Sequence, residues 1–398
     1  MGPSGRRAAG GRAGTMGRSR PGGRAKGGAR CREGDEDVGW VLAAAEQVRV
    51  DPALRWFEDG LRDRLAPDGD AVGAPATQVV WNLFPADAPR PYRRRAQATF
   101  VVGVTSGPHP GDAPLDRLYP LLIRSLGNFL VYLVPPEHGD GPPAETFFVT
   151  LERGCYALAE SEDYFSAVLE RVQPLAGSHL VIDNTFVPDL PRELWAGNAR
   201  TEEMAEASRR LKALDLLPAP FPIEQLLDPR DFAHLRRMFQ LGGLSYGNCS
   251  VREPGYGFWM SASGVDKSHL ERVGEELLLV RGYDPEANRM VVSVPPDVRP
   301  RRASVDAIEH LMIYEGFPQV GAILHVHAWM GGVPSTDINY PCGTLELAQA
   351  VRDRLAGAAD PGHAVVGLRN HGLTITGESL PEIFERVTPF LLRQIPMQ

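Results

Sequence analysis

The sequence lacks any apolar run that approaches the ~20 residues needed to cross a membrane as a helix. It also has little cysteine. The four residues of this type lie far apart, with no Cys-x-x-Cys spacing, and they are Cys31, Cys155, Cys249 and Cys342. That pattern indicates neither a disulfide framework nor a zinc site built from thiolates. We therefore expect a cytoplasmic protein with no membrane partner.

Phosphate-binding fingerprints are absent as well. No Gly-x-Gly-x-x-Gly follows a predicted strand and there is no Gly-x-x-x-x-Gly-Lys loop, so no motif indicates a nucleotide cofactor. The formal net charge of -8 argues against nucleic acid as a partner.

The first 34 residues have an unusual composition. Met1 to Arg32 is rich in glycine and arginine and contains no acidic residue. Such a segment has little apolar surface to bury, so we expect residues 1–34 to be disordered. Three interpretations stay open: a solvated extension, a mis-called start of the reading frame, and a basic segment that contacts nucleic acid or another anion. The tail lacks the long apolar core of a secretory signal.

The rest of the chain is long enough for two packed domains, with 43% apolar and 8% aromatic residues overall. The prolines of residues 217–222 favour an extended connector, and we place the domain boundary near residue 215. We expect 35–215 to form an α+β domain of unknown role and 216–398 to form a second domain.

Hydrophobic periodicity and turn residues predict the elements of the N-terminal domain. An amphipathic pattern over residues 35–65, which includes Trp40, Val41 and Ala44, predicts one or two helices. The other predicted helices cover 118–126, 163–172 and 201–214, and the predicted strands cover 78–84, 98–104, 129–134, 146–151 and 178–183.

The second domain holds the stretch that points to chemistry. Residues 305–315 have apolar positions at helical spacing, and residues 320–327 read as a short buried strand. His325 and His327 would then lie on one face of that strand. With Asp306 at the start of the helix, and His371 after a predicted strand over 364–368, they can converge on one divalent cation. The alternative is that these are satisfied polar residues of a core.

Several spaced motifs occur here in one order. They are Gly247-Asn248 with Ser250-Val-Arg252, Ser261-Ala-Ser263-Gly264, Ser304-Val-Asp306, His310, His325-x-His327 and Asn370-His371-Gly372. This order resembles the class II aldolase/adducin family, which includes metal-dependent aldolases and pentose-phosphate 4-epimerases, over about residues 231–398. The resemblance implies an α/β fold, an α/β/α domain whose central sheet is mainly antiparallel.

The resemblance also implies roles for individual residues. His325, His327 and His371 would bind the metal, with Zn²⁺ expected first and Mn²⁺, Co²⁺ or Fe²⁺ as alternatives. The substrate's phosphate would be held by Asn248, Ser263, Gly264 and Ser304. Val305 departs from the family, because a second serine is usual there. Asp306 would be a fourth ligand or a general base, and His310 a supporting or core residue.

The proton donor is the part of the family's site that this sequence does not supply in the usual way. Ala328 to Pro341 is much shorter than the aldolase segment that provides a tyrosine across a subunit interface, and the family's C-terminal catalytic tyrosine has no counterpart. Tyr340, with Asp337 nearby, is the substitute that we predict. The alternative is that both residues only shape the loop.

These observations predict a metal-dependent carbon–carbon lyase of carbohydrate metabolism. Its small-molecule substrate would be a phosphorylated or carboxylated hydroxy-carbonyl compound, a sugar phosphate or hydroxy acid, and the reaction would pass through a metal-stabilised enediolate. An epimerase, a decarboxylase, an iron-dependent oxygenase and a non-catalytic adducin-like binding module stay open as alternatives. Family members commonly assemble as homo-oligomers, and we expect the same here.

Overall fold

The protein is described here from a computed structural model. The description covers residues 38–44, 48, 50–65, 77–92, 99–138, 141–150, 154–158, 161–214, 216, 227–238, 247–266, 269–393 and 395–396. The predicted disordered tail and the predicted connector at 217–222 lie outside these residues.

A six-stranded sheet occupies the N-terminal half of the described chain. Its strands follow the order of the sequence, and they are β1 (Val38–Ala44), β2 (Thr77–Leu83), β3 (Thr99–Ser106), β4 (Phe129–Val134), β5 (Glu145–Thr150) and β6 (Gly154–Ala157). The first four are parallel, and β5 and β6 are antiparallel additions. The helices α1 (Pro52–Arg64), α2 (Pro114–Arg124) and α3 (Tyr164–Ala176) accompany it.

An eight-stranded sheet follows, in the spatial order β13-β14-β12-β8-β9-β10-β11-β7. Its strands are β7 (Asn184–Val187), β8 (Gly247–Glu253), β9 (Gly257–Ser261), β10 (Leu277–Asp284), β11 (Arg289–Ser293), β12 (Ala322–Val326), β13 (Val365–Leu368) and β14 (Gly372–Gly377). All neighbouring pairs are antiparallel except β7 with β11. The helices in this half of the chain are α4 (Ala199–Ala213), α5 (Pro229–Met238), α6 (Ala307–Gly316), α7 (Leu345–Ala356) and α8 (Leu380–Val387). Of these, α5 contacts α2 of the N-terminal half.

Helices cover both faces of the second sheet, because alternate residues of a strand point to opposite sides. On β12, Ile323 belongs to the core that α6 and α7 close, whereas Leu324 belongs to the core that α4 and α8 close. The predicted α/β/α arrangement around a mainly antiparallel sheet is therefore confirmed.

Two predictions in the N-terminal part were wrong. The amphipathic pattern around Trp40 forms the parallel strand β1 beside β2, and only the later part of the predicted helical region forms a helix, α1. A short run of Val, Leu and Ala does not distinguish helix from strand by periodicity, and pairing with β2 decides between them. The predicted strand at 178–183 is displaced to β7, with a single bridge between Leu180 and Thr344.

The elements of the second domain follow the predictions more closely. The predicted helix 305–315 is α6, and the predicted strands 320–327 and 364–368 are β12 and β13. β12 ends at Val326, so His327 lies just beyond it. The hairpin of β10 and β11 was not predicted. Among the described helices, none combines the length and the apolar character that a bilayer crossing requires.

The domain boundary near residue 215 stays a prediction. Two elements on its N-terminal side contact the second sheet. β7 pairs with β11, and α4 packs on β8 and β9.

Phe384 of α8 provides a test of this packing. It is fully buried, and replacing it with alanine should lower the free energy of unfolding by about 3–5 kcal/mol through lost burial and a residual cavity. Phe390, which is 62% exposed in the same segment, is the matched control, and its alanine variant should change stability by less than about 0.5 kcal/mol. Urea denaturation of both variants measures the difference. Similar losses would contradict this packing.

Candidate metal centre

Three imidazole side chains meet at one end of the second sheet. Each of His325, His327 and His371 offers a ring nitrogen, and these nitrogens lie within 4.8 Å of one another. The Nε2 atoms of His327 and His371 are 3.3 Å apart. His325 and His371 are buried and His327 is partly exposed, so the cluster can be reached from solvent on one side.

Strand pairing brings the three histidines together. β12 lies between β8 and β14, where the residues opposite His325 are Asn248 and Thr374. Just before β14, a tight turn from β13 contains Asn370 at a φ of 56°, and the His371 amide donates to the Leu368 carbonyl. This left-handed position is one that asparagine tolerates well. The turn places His371 next to the end of β12.

Two glycines permit this close approach. A Cβ at Gly247 would overlap the carbonyl oxygen of His325, and a Cβ at Gly372 would overlap that of Val326. Gly247 also has a φ of 131°, which other residues rarely adopt. β8 and β14 can therefore reach the end of β12 from both sides only because these positions lack a side chain.

The hydrogen bonding of His325 indicates its tautomer. Its Nδ1 lies 3.1 Å from the carbonyl oxygen of Leu373, and a carbonyl can only accept. Nδ1 therefore carries the hydrogen, and the lone pair of His325 is on Nε2. Metal-binding histidines usually have this arrangement, since a backbone acceptor fixes the ring and the other nitrogen is a ligand.

The spacing of one pair of ring nitrogens fits a small cation. Two nitrogens that each lie about 2.05 Å from a tetrahedral zinc ion are separated by about 3.3 Å. The distance between His327 Nε2 and His371 Nε2 has this value. The donor set could hold zinc or another divalent transition metal, because neutral imidazoles suit several of them.

Asp306 lies at the start of α6 and is bound to the sheet. Its Oδ2 accepts a hydrogen bond of 2.5 Å from Nδ2 of Asn248, the residue opposite His325 on β8. Asp306 Oδ1 and Asn248 Oδ1 are buried and have no hydrogen-bond partner among the described residues. The carboxylate is therefore held beside the row of residues that includes His325, with one oxygen still able to accept.

A second carboxyl group lies one turn further along α6, and the sequence analysis did not single it out. Glu309 is buried, and its Oε1 accepts a 2.5 Å hydrogen bond from Thr374, the residue opposite His325 on β14. Burial and, to a smaller extent, the charge of Asp306 raise the pKa of Glu309, the Thr374 bond acts in the opposite direction, and the net pKa is about 8. The only sequence signal for Glu309 was its position three residues after Asp306, which is about one helical turn.

Below the cluster, a network of hydroxyl groups joins α6 to β8. Ser250 Oγ lies 2.7 Å from Nδ1 of His310 and 2.8 Å from the hydroxyl of Tyr314. All three side chains are buried. His310 therefore supports the helix that carries Asp306, in agreement with the supporting or core role expected for it.

The predicted phosphate-binding residues are distributed over two turns and a strand. A bridge between Ala262 and Ala303 brings Ser263 and Gly264 beside Ser304. Asn248 differs from the other three, because its Nδ2 group donates one of its two hydrogens to Asp306. Binding of phosphate by these four residues stays a prediction.

The loop after His327 contributes a contact that the sequence analysis did not anticipate. Sγ of Cys342 lies 3.3 Å from Nε2 of His371. Tyr340, the predicted proton donor, is partly buried against the apolar cores of both sheets. Its pKa is raised by burial and, to a smaller extent, by Glu346. A catalytic role for Tyr340 stays a prediction.

Known proteins resemble the part of the chain that carries this site. Residues 232–337 match the family described as Class II Aldolase and Adducin N-terminal domain. A methylthioribulose-1-phosphate dehydratase from Xanthomonas campestris pv. campestris (strain B100) is 32% identical over 98 residues, which is 23% of this chain and 44% of that protein. The chain thus spans less than half the length of this relative.

Solved structures also align with about half of the chain. The l-fuculose-1-phosphate aldolase from Thermus thermophilus has 20% identity and a TM-score of 0.29, over 48% of this chain and 89% of its own. An aldolase II superfamily protein from Pseudomonas syringae has 18% identity and a TM-score of 0.33, over 50% of this chain and 75% of its own.

The fold and the site define an α/β/α domain with a three-histidine cluster at one end of its central sheet. The matched residues include β8, β12, α6 and two of the three histidines. Residues 232–337 of this domain match the class II aldolase and adducin family. Class II aldolases generally depend on a divalent metal.

The network around Ser250 yields a stability prediction. Ser250→Ala should lower the free energy of unfolding by about 1–3 kcal/mol, because the buried Tyr314 hydroxyl loses its bond to Ser250. Tyr314→Phe removes that hydroxyl together with its need for a partner, so it should cost less, about 1 kcal/mol. Chemical denaturation of the two variants gives the comparison. A larger loss for Tyr314→Phe would argue against the network.

Proposed function

We propose that His325, His327 and His371 bind a divalent cation, zinc in the first place, and that the protein is a metal-dependent lyase of the class II aldolase type. The observation that carries this proposal is the convergence of three imidazole nitrogens within 4.8 Å, with the Nε2 atoms of His327 and His371 3.3 Å apart. A scaffold protein of the same family has no physical need for such a cluster beside two buried carboxyl groups.

The bound cation would act as a Lewis acid that stabilises negative charge developing on a substrate carbonyl oxygen. The histidines hold the cation without neutralising it, since imidazole is uncharged. Asp306 is the residue that we assign to proton transfer. Asn248 fixes one of its carboxylate oxygens, and the other is available to accept a proton from the carbon or hydroxyl group next to the carbonyl.

The substrate class follows from the neutral donors near the site. Ser263, Gly264 and Ser304 would bind the phosphate or carboxylate of a hydroxy-carbonyl compound through hydroxyl and backbone N–H groups. We expect a sugar phosphate or a hydroxy acid, and a homo-oligomeric assembly as is common in the family.

A second reaction on the same scaffold is dehydration. The relative from Xanthomonas campestris is named for this reaction on a ketose 1-phosphate, methylthioribulose 1-phosphate, and its similarity to this chain is confined to 98 residues. Both reactions begin with charge developing on a carbonyl oxygen, and they differ in whether a carbon–carbon or a carbon–oxygen bond breaks.

Metal binding is the first step to test. His371→Ala should reduce the zinc content of protein loaded with one equivalent of Zn²⁺ and abolish the rise in melting temperature caused by the metal, because one of three ligands is lost. Elemental analysis and thermal denaturation measure both effects. The exposed His363 provides the control, and its alanine variant should match the parent protein. Equal metal binding by the His371→Ala variant would refute the proposed site.

The reaction itself can be tested with a screen of ketose phosphates and hydroxy acids on the zinc-loaded protein. Carbon–carbon cleavage releases an aldehyde, whereas dehydration releases none and gives a product lighter by one water, so mass spectrometry distinguishes them. Asp306→Asn should lower kcat by about 10²–10⁴-fold with zinc content retained, because the amide cannot accept the proton. An unchanged kcat would remove Asp306 from the mechanism.

A further inference from the structure

Glu309 lies in an environment that differs from an ordinary helix position. It is 2% exposed, it is three residues after Asp306 on α6, and its Oε1 is bound to Thr374. Residues three apart lie on the same face of a helix, so both carboxyl groups face the sheet.

The strand register places these two groups on either side of His325. Thr374 and Asn248 are directly opposite His325 on β14 and β8, so the three side chains form a row on one face of the sheet. Glu309 binds the first member of this row and Asp306 binds the last. The buried carboxyl groups therefore bracket His325.

The oxygens of this group are not satisfied by the described protein residues. Glu309 Oε2, Asp306 Oδ1 and Asn248 Oδ1 are all buried without a hydrogen-bond partner there. Unsatisfied buried acceptors are costly, and two buried carboxylates one turn apart also repel each other. A positive charge or a proton close by would remove both penalties.

The three neutral imidazoles leave a bound divalent cation with two positive charges, and Asp306 offsets only one. We infer that Glu309 is the charge-balancing residue of the cation site, whose carboxylate offsets the second positive charge when the divalent metal binds. This inference rests on the proposed metal binding but not on the reaction. Glu309 would act through the electric field of its carboxylate at the three histidines, and this role requires no contact with substrate.

The ionisation of Glu309 agrees with this role. Its pKa is raised by burial and by Asp306, so in the metal-free protein Glu309 holds a proton at neutral pH. The ionisable groups of α6 and the paired strand ends are Asp306, His310, Tyr314 and Glu315, with His325 at the end of β12 and His371 before β14. α7, which packs on α6, carries Glu346, Arg352, Asp353 and Arg354. Among these, Asp306 is the one whose charge raises the pKa of Glu309.

A raised carboxyl pKa has a definite consequence for stability. The folded state then holds a proton that the unfolded chain releases above its ordinary pKa of 4.5, so stability falls as pH rises from 4.5 through about 8. This contribution should disappear in Glu309→Gln, which cannot ionise. The metal-free variant should therefore lose less stability than the parent protein between pH 5 and about 8.

The test uses the full-length protein and Zn²⁺ alone. Competition with a chromogenic chelator between pH 6 and about 8.5 gives the zinc dissociation constant of each variant. Glu309→Gln should weaken zinc binding about 10–100-fold near pH 8, and its affinity should rise less steeply with pH than that of the parent protein. Glu309→Asp retains a carboxylate, so its zinc affinity should rise with pH almost as steeply as that of the parent protein.

Two controls separate charge from packing. Thr374→Val breaks the hydrogen bond but leaves the carboxyl group, so its pH profile should remain close to that of the parent protein. Glu315→Gln removes an exposed charge from the same helix and should change neither affinity nor profile. Circular dichroism confirms that each variant is folded, and Glu309→Met, which also removes the carboxyl group, carries the test if the glutamine variant does not fold.

The outcomes are distinguishable. If the parent protein binds zinc and Glu309→Gln binds it equally well with the same pH profile, the inference fails while the metal site stands. If Thr374→Val weakens binding as much as Glu309→Gln, the hydrogen bond rather than the charge is responsible, and the inference fails again. If the parent protein binds no zinc, the proposed function fails first.

Discussion

The candidate site depends on the pairing of β12 between β8 and β14. This pairing sets His325 opposite Asn248 and Thr374 and brings the turn with His371 to the end of the strand. Because side chains alternate along a strand, a slip of one residue would move His325 into the apolar core on the other face, where Leu324 now lies. Gly247 and Gly372 make the close pairing possible at the end where the histidines lie. The same register therefore determines both the fold and the cluster.

The site lowers the stability of the domain. Buried imidazoles, two carboxyl groups and an amide replace apolar side chains at the edge of a well-packed core, and several of their oxygens lack partners among the described residues. α6 is stabilised by other contacts, in particular Ile308, Leu311 and Ile313 in the core and the bonds of Ser250 to His310 and Tyr314. The packing of these residues stabilises α6, so the helix can also hold the buried carboxyl groups of Asp306 and Glu309, which are unfavourable until a cation is present.

The fold of the second domain was predicted from the order of its spaced motifs, which resembles a known family, whereas α6, β12 and the histidines were predicted from local patterns. Helical and strand periodicity located α6 and β12, and the spacing of His325, His327 and His371 suggested that they converge. Glu309 left no such pattern. A glutamate among apolar residues of a helix usually faces solvent, and only the tertiary contact with Thr374 reveals that it is buried. The strand β1 was missed for a related reason, since its partner β2 lies more than thirty residues further along the chain.

The first sheet also constrains the cation site, through the loop that follows His327. Ile338 and Tyr340 of this loop pack against the core of the first sheet. Two residues after Tyr340, Cys342 contacts His371. The loop is therefore held at one end by the N-terminal sheet and touches the cluster at the other. Because packed interiors transmit small displacements, a change in the first sheet would alter the position of Cys342 and hence the space around His371. The N-terminal sheet thus forms part of the structural support of the site, although it contributes none of the three imidazoles.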